Sequence, residues 1–126
     1  MSEIVGVGVD LCEVDRIRTT LERTPGFADR VYTEGERRYC RRARDPAERY
    51  AARLAAKEAV LKALGAGLGA CPLRTIEVVR ARSGAPSLVL HGAGADLAAE
   101  RGVTGWHISL THTGGLAQAL VVATRG

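Results

Sequence analysis

The run Arg53-Leu-Ala-Ala-Lys-Glu-Ala-Val-Leu-Lys-Ala-Leu-Gly65 limits what this chain can fold into more than any other stretch. Alanine and leucine dominate it, no proline interrupts it, and a glycine stands at its far end, so it predicts one long helix. It is apolar in nearly every direction, which assigns it to the centre of the molecule and not to the surface. Glu58 is the anomaly. At helical period it shares a face with Ala51, Leu54, Ala55 and Leu61, with Lys62 one turn on. A carboxylate on such a face must be paired, protonated or bound to a cation. A buried Glu58–Lys62 ion pair meets that requirement, and so does a metal ligand with a cation beside it. Structural ion pairs are common enough that the helix alone favours the first.

A chain of 126 residues is one domain, over residues 1–126, with room for a real core. No apolar run reaches membrane length and no signal-peptide pattern is present, so a cytoplasmic protein without membrane contact is expected. Cys12, Cys40 and Cys71 are odd in number and far apart, which argues against a disulfide framework or a cysteine metal pair. The net charge of +4 comes from arginines concentrated between Arg37 and Arg53, and implies an anionic partner. Aromatic residues make up only 4% of the chain, too few to build stacking platforms for single-stranded nucleic acid.

In chain order, residues 4–11 read as a strand with Val5, Val7, Val9 and Leu11 on one face and Ile4, Gly6, Gly8 and Asp10 on the other. Two glycines on one face let a helix or ligand approach the backbone. Asp10 ends that face, where it could cap the following helix. Residues 13–23 form a helix, broken by Pro25-Gly26, with Phe27 and Val31 anchoring a loop. Thr33 and Glu36 make a capping box for a helix over 34–44, and Asp45-Pro46 starts the central one. Gly65, Gly67 and Gly69 form a flexible exit. Strands follow over 75–80 and 87–91, a helix over 93–101, a strand over 106–110, a turn over 111–115 and a strand over 116–124. Hairpin-joined strands with helices gathered apart imply an α+β fold, a mostly antiparallel sheet packed on a long central helix.

If the central helix packs on the glycine face, Asp10 and Glu58 approach each other. Two such carboxylates repel unless protonated or bridged by a cation. With only oxygen ligands the cation is hard, Mg²⁺ before Ca²⁺, and Mg²⁺ suits one or two carboxylates plus substrate phosphates. Arg53, Lys57 and Lys62 would offset polyphosphate charge.

Three segments then resemble the holo-acyl-carrier-protein synthases, the short type of the 4′-phosphopantetheinyl transferase superfamily. They are Gly6-Val-Gly-Val-Asp10 with Glu13 and Arg16-Ile17, the central Arg53–Gly65 run, and His107-Ile-Ser-Leu-Thr-His-Thr113 followed by Ala117, Ala119 and Val121-Val122. The resemblance spans essentially the whole chain and implies the 4′-phosphopantetheinyl transferase fold. It implies Mg²⁺-dependent transfer of the 4′-phosphopantetheine arm of coenzyme A to a serine of an acyl carrier protein, releasing adenosine 3′,5′-bisphosphate, in fatty-acid or polyketide synthesis. By position it makes Asp10 and Glu58 the Mg²⁺ ligands and Lys62 the lysine at the pyrophosphate. Glu58 would orient or accept the serine proton. Arg53, Lys57, Gly65 and Gly67 match the cradle of coenzyme A, and His112 and Thr113 the segment contacting the nucleotide. Arg16 and its first-helix neighbours match the surface for the acidic carrier, and short members are homotrimers with sites between subunits.

Two positions depart from the family pattern: Leu54 replaces a usual aromatic, and Thr113 stands where some members carry Asp. From its residues alone, His112 could equally cap a turn. His91 and His107 read as structural, and Glu13 and Asp15 as solvated. Two other readings of the chain are a non-catalytic module that binds coenzyme A or a carrier, and a basic nucleic-acid-binding domain with steep salt dependence.

Overall fold

The computed structural model describes residues 2–126. The chain runs β1 (Glu3–Glu13), α1 (Val14–Arg23), α2 (Phe27–Val31), α3 (Glu34–Arg41), α4 (Pro46–Ala63), a 3₁₀ turn (Leu73–Thr75), β2 (Ile76–Arg80), β3 (Pro86–Leu90), α5 (Gly92–Glu100), β4 (Gly105–Thr113) and β5 (Leu116–Arg125). This is the α+β architecture expected, with one difference: the strands form two antiparallel sheets. One has the order β1-β5-β4 and the other is the β2-β3 hairpin. Among the described residues, no helix is long and apolar enough to cross a membrane.

The α4 helix is central, as its composition requires. Ala51, Ala55, Ala56, Ala59, Val60 and Leu61 are buried on several sides of it. Its contact with β1 is closer than ordinary helix–sheet packing. A Cβ added to Gly6 would stand 1.9 Å from the Ala63 carbonyl oxygen, and one added to Gly8 would stand 1.9 Å from that of Ala59. The glycines are there because the helix backbone occupies the space a side chain would need. Two residues along a strand advance about 6.6 Å, and four along a helix about 6 Å. The two elements therefore stay in step, and the next position of the same strand face is Asp10. Helical side chains lean toward the helix N-terminus, so Glu58 reaches back from the Ala59 level to meet Asp10.

The other face of the β1-β5-β4 sheet is open. Val9 faces Leu120 and Val7 faces Val122 across the β1-β5 ladder. Val7, Val9, Leu11, Leu116 and Leu120 are each at least 40% exposed, so the sheet carries an apolar face that none of the described residues covers.

The remaining differences from the sequence reading are local. Phe27–Val31 is a one-turn helix, not a loop, because Gly26 at φ 81° turns the chain directly into it. The α3 helix stops at Arg41, three residues early, though its Thr33–Glu36 capping box forms as expected. Asp45 stands at the N-cap position of α4 but makes no capping bond. Its carboxylate instead accepts from Arg18 Nη2 at 2.6 Å. The β4 strand continues to Thr113 and leaves only Gly114-Gly115 for the turn, so His112 is a strand residue.

Candidate active site

The structure brings Asp10 and Glu58 together, with their carboxyl groups within hydrogen-bond reach of each other. Burial, followed by the hydrogen bond to Asp10 and the charge of Asp10, lifts the Glu58 carboxyl to about 7, while Lys62 and Arg16 pull the other way. Lys62 Nζ donates to Asp10 Oδ1 at 2.9 Å and to the Val9 carbonyl at 3.0 Å. Its ammonium thus serves Asp10 across the helix–strand contact, and the Glu58–Lys62 ion pair considered from sequence is not the arrangement found. The two carboxylates share a cavity of about 590 Å³ with Cys12, Arg16, Leu54, Phe27 and Leu68. Burial and the neighbouring carboxylates push the Cys12 thiol up to about 11, which leaves it a packing group and not a nucleophile.

A pair of oxygen donors close enough to share a proton fits a divalent cation, because the cation removes the repulsion that otherwise demands that proton. Among the described residues there is no cluster of three or more metal-ligating side chains, so further ligands would be water or substrate oxygen. The shared proton has a measurable consequence. Glu58 holds its proton more tightly folded, at about 7, than at its ordinary 4.5. Its contribution to stability is therefore present below pH 4.5 and is lost as pH rises through 7. The group is only partly buried, so solvent screening discounts the effect to about 1–2 kcal/mol. Denaturant midpoints of metal-free protein between pH 5 and 8 should fall relative to those of Glu58→Gln. Parallel curves for the two proteins would show that the carboxyls do not share a proton.

Lys57, expected at coenzyme A, lies inside the fold and lines neither cavity. Its side chain is fully buried and donates to Glu36 Oε1 at 2.7 Å, to the Leu73 carbonyl at 3.0 Å and to the Ile76 carbonyl. Glu36 is the capping-box glutamate, and its second oxygen accepts from Val78 N at 2.9 Å. Burial pulls the Lys57 ammonium down, and Glu36 opposes that shift. The pair ties α3, α4 and β2 together. Lys57→Met strands the buried Glu36 carboxylate, at a cost of about 2–3 kcal/mol softened by its remaining N–H donors. Urea unfolding should show that loss, and unchanged stability would return Lys57 to the ligand-facing set.

A second cavity, of about 660 Å³, is lined by Tyr39, Arg44, Glu48, Arg49, Arg53, Arg80, Thr111 and His112 among others. It shares no lining residue with the carboxylate cavity. Arg53 lines it from α4, 97% buried by its 3% exposure, and its Nε has no hydrogen-bond partner. His112 Nδ1 lies 3.2 Å from Glu48 Oε2. Thr113 is exposed at the end of β4. Gly65, at φ 68°, stops α4, and Gly67 borders open space. Sequence reasoning reached Arg53 and His112 but missed Tyr39, Arg49 and Arg80. The only signal for Arg49 was the local excess of arginine, which reads equally well as a solvated helix face, and Arg80 gave none.

The family model of the 4′-phosphopantetheinyl transferase superfamily matches residues 6–120. The chain belongs to that superfamily, and its relatives place it among the holo-[acyl-carrier-protein] synthases, which are enzymes. It is 52% identical to the holo-[acyl-carrier-protein] synthase of Frankia casuarinae over 95% of this chain and 97% of that one. The crystal structure of the Neisseria meningitidis holo-[acyl-carrier-protein] synthase superposes with a TM-score of 0.86 at 32% identity, covering 96% of this chain and 98% of that chain. A Bacillus anthracis synthase described in complex with CoA (3′,5′-ADP) superposes with a TM-score of 0.80 at 32% identity, covering 98% of each chain.

Proposed function

We propose that this enzyme transfers the 4′-phosphopantetheine arm of coenzyme A to a serine of an apo acyl carrier protein, with Mg²⁺ held by Asp10 and Glu58. The observation that carries this reading is that Asp10 and Glu58 line one cavity, with Lys62 donating to Asp10 at 2.9 Å. When bound, the cation polarises the pyrophosphate and steadies the departing oxygen. Serine Oγ bonds to the phosphorus that bears pantetheine, and the bond from that phosphorus to the leaving oxygen breaks. Adenosine 3′,5′-bisphosphate departs. The serine proton goes to Glu58, directly or through water. Lys62 offsets charge gathering on the pyrophosphate, and Arg16, in the same cavity, meets the acidic carrier.

The arginine cavity suits the nucleotide end. Coenzyme A carries a ribose phosphate apart from its pyrophosphate, and a buried guanidinium without a partner is a ready donor for it. The relatives solved with CoA support coenzyme A as the substrate. The two cavities share no lining residue, and an apolar sheet face stands open. Both features support a homotrimer in which the carboxylates of one subunit work with the arginine cavity of the next. Sedimentation should give three times the 13.4 kDa chain mass, and a monomer would overturn that assembly. Incubation with coenzyme A, Mg²⁺ and apo carrier should add the mass of the arm to the carrier. Failure with every carrier tried, from fatty-acid and polyketide systems alike, would favour a binding module instead.

A further inference from the structure

Four arginines line the nucleotide cavity, and three of them converge on one another: Arg49 and Arg53 from α4, and Arg80 from the end of β2. Like charges so placed repel one another. Among the described residues, none of the three forms an ion pair. The two acids in the cavity wall are engaged elsewhere, Asp45 with Arg18 and Glu48 with His112. What gathers the three is one side chain from α3. The Tyr39 ring centroid lies 4.0 Å from the Arg49 guanidinium, 4.2 Å from that of Arg53 and 5.4 Å from that of Arg80. Arg80 Nη1 donates to the Tyr39 hydroxyl at 2.9 Å, and Arg49 Nη1 donates to the Tyr39 carbonyl at 2.7 Å.

We propose that Tyr39 is the positioning residue of this cavity: its ring, hydroxyl and backbone carbonyl array Arg49, Arg53 and Arg80 for the ribose phosphate of the substrate. A carboxylate in its place would hold the arginines by neutralising them. A π face holds them by quadrupole attraction and leaves the net charge and most N–H donors free for an incoming phosphate dianion. Arg53 Nε, buried without a partner, is the clearest donor so spared. The inference rests on the nucleotide reading of the cavity, and the test separates the two.

Tyr39→Leu removes the ring, and Tyr39→Phe removes only the hydroxyl that Arg80 donates to. Calorimetric titrations of the full-length protein use adenosine 3′,5′-bisphosphate and AMP, which lacks the 3′-phosphate. Tyr39→Leu should weaken bisphosphate binding about tenfold or more, with AMP affinity changed less than about twofold. KM for coenzyme A should rise in parallel while kcat stays within about threefold. Tyr39→Phe should lose about two- to threefold in bisphosphate affinity. Equal losses for bisphosphate and AMP would mark a general packing role and overturn the proposal. So would wild-type bisphosphate affinity in Tyr39→Leu or, should that variant not fold, in Tyr39→Phe. If the wild-type protein itself binds AMP as well as the bisphosphate, the phosphate reading of the cavity fails and the role of Tyr39 fails with it.

Discussion

Replacing Glu58 with glutamine is expected to lower kcat by about three orders of magnitude while leaving the fold intact. The substitution is nearly isosteric, so helix packing is untouched. It removes one of two carboxylate oxygen donors, the one whose proton affinity burial and Asp10 raise to about 7. The separation of activity from stability makes the result informative. In metal-free protein at pH 8 the Glu58 and Asp10 charges repel, whereas a glutamine amide donates a hydrogen bond to Asp10. Glu58→Gln should therefore melt at the same temperature as the wild type or higher at pH 8, and Mg²⁺ should no longer raise that temperature. Near-native turnover with Mg²⁺-independent melting in both proteins would remove Glu58 from the metal site. A simultaneous loss of activity and fold would show that the carboxyl is structural.

Gly8→Ala should have the largest effect on stability, costing about 4 kcal/mol or more, enough to unfold a large part of the population of a marginally stable domain. The added methyl would meet the Ala59 carbonyl oxygen at 1.9 Å, and the Ala63 amide nitrogen at 2.9 Å. Both are backbone atoms in the last turn of the buried central helix, so no side chain can swing aside. Relief requires β1 to lift away from α4, which draws Asp10 away from Glu58. Any folded remainder should therefore bind Mg²⁺ poorly. Gly67→Ala is the matched control, because nothing lies within 4 Å of a Cβ at that position. Denaturant unfolding of both variants tests the comparison. Equal stability would mean that the close contact of strand and helix is not needed.

The architecture around these two predictions was legible because it rests on short-range rules. An alanine-rich run without proline is a helix in almost any context, and two glycines alternating along a strand mark a close backbone approach. From those alone Asp10 and Glu58 could be expected to meet. The role of Lys57 was not legible, because its neighbour Glu36 lies 21 positions away and was already accounted for by the capping box. The charge pattern of a helix shows which residues are polar, but not which of them a distant element will bury. The arginine cavity failed for the same reason, since Arg80 joins Tyr39 across 41 positions. The end of β4 was lost because Thr111, His112 and Thr113 are all exposed, so no alternation separates strand from turn there.

No loop separates β1 from α1. Glu13 ends the strand, Val14 starts the helix, and the Val14 amide is pinned to the Gly115 carbonyl at 2.8 Å. Asp10 and Arg16 thus stand on one stiff splice of strand and helix, with no hinge between them. With the carrier docked on α1 as proposed, pressure on that helix would drag Asp10 with it. Any strain from a poorly matched carrier is transmitted to the reacting centre instead of dissipating in a flexible joint. Under that proposal, discrimination among carriers would be expressed in the speed of transfer more than in the strength of docking.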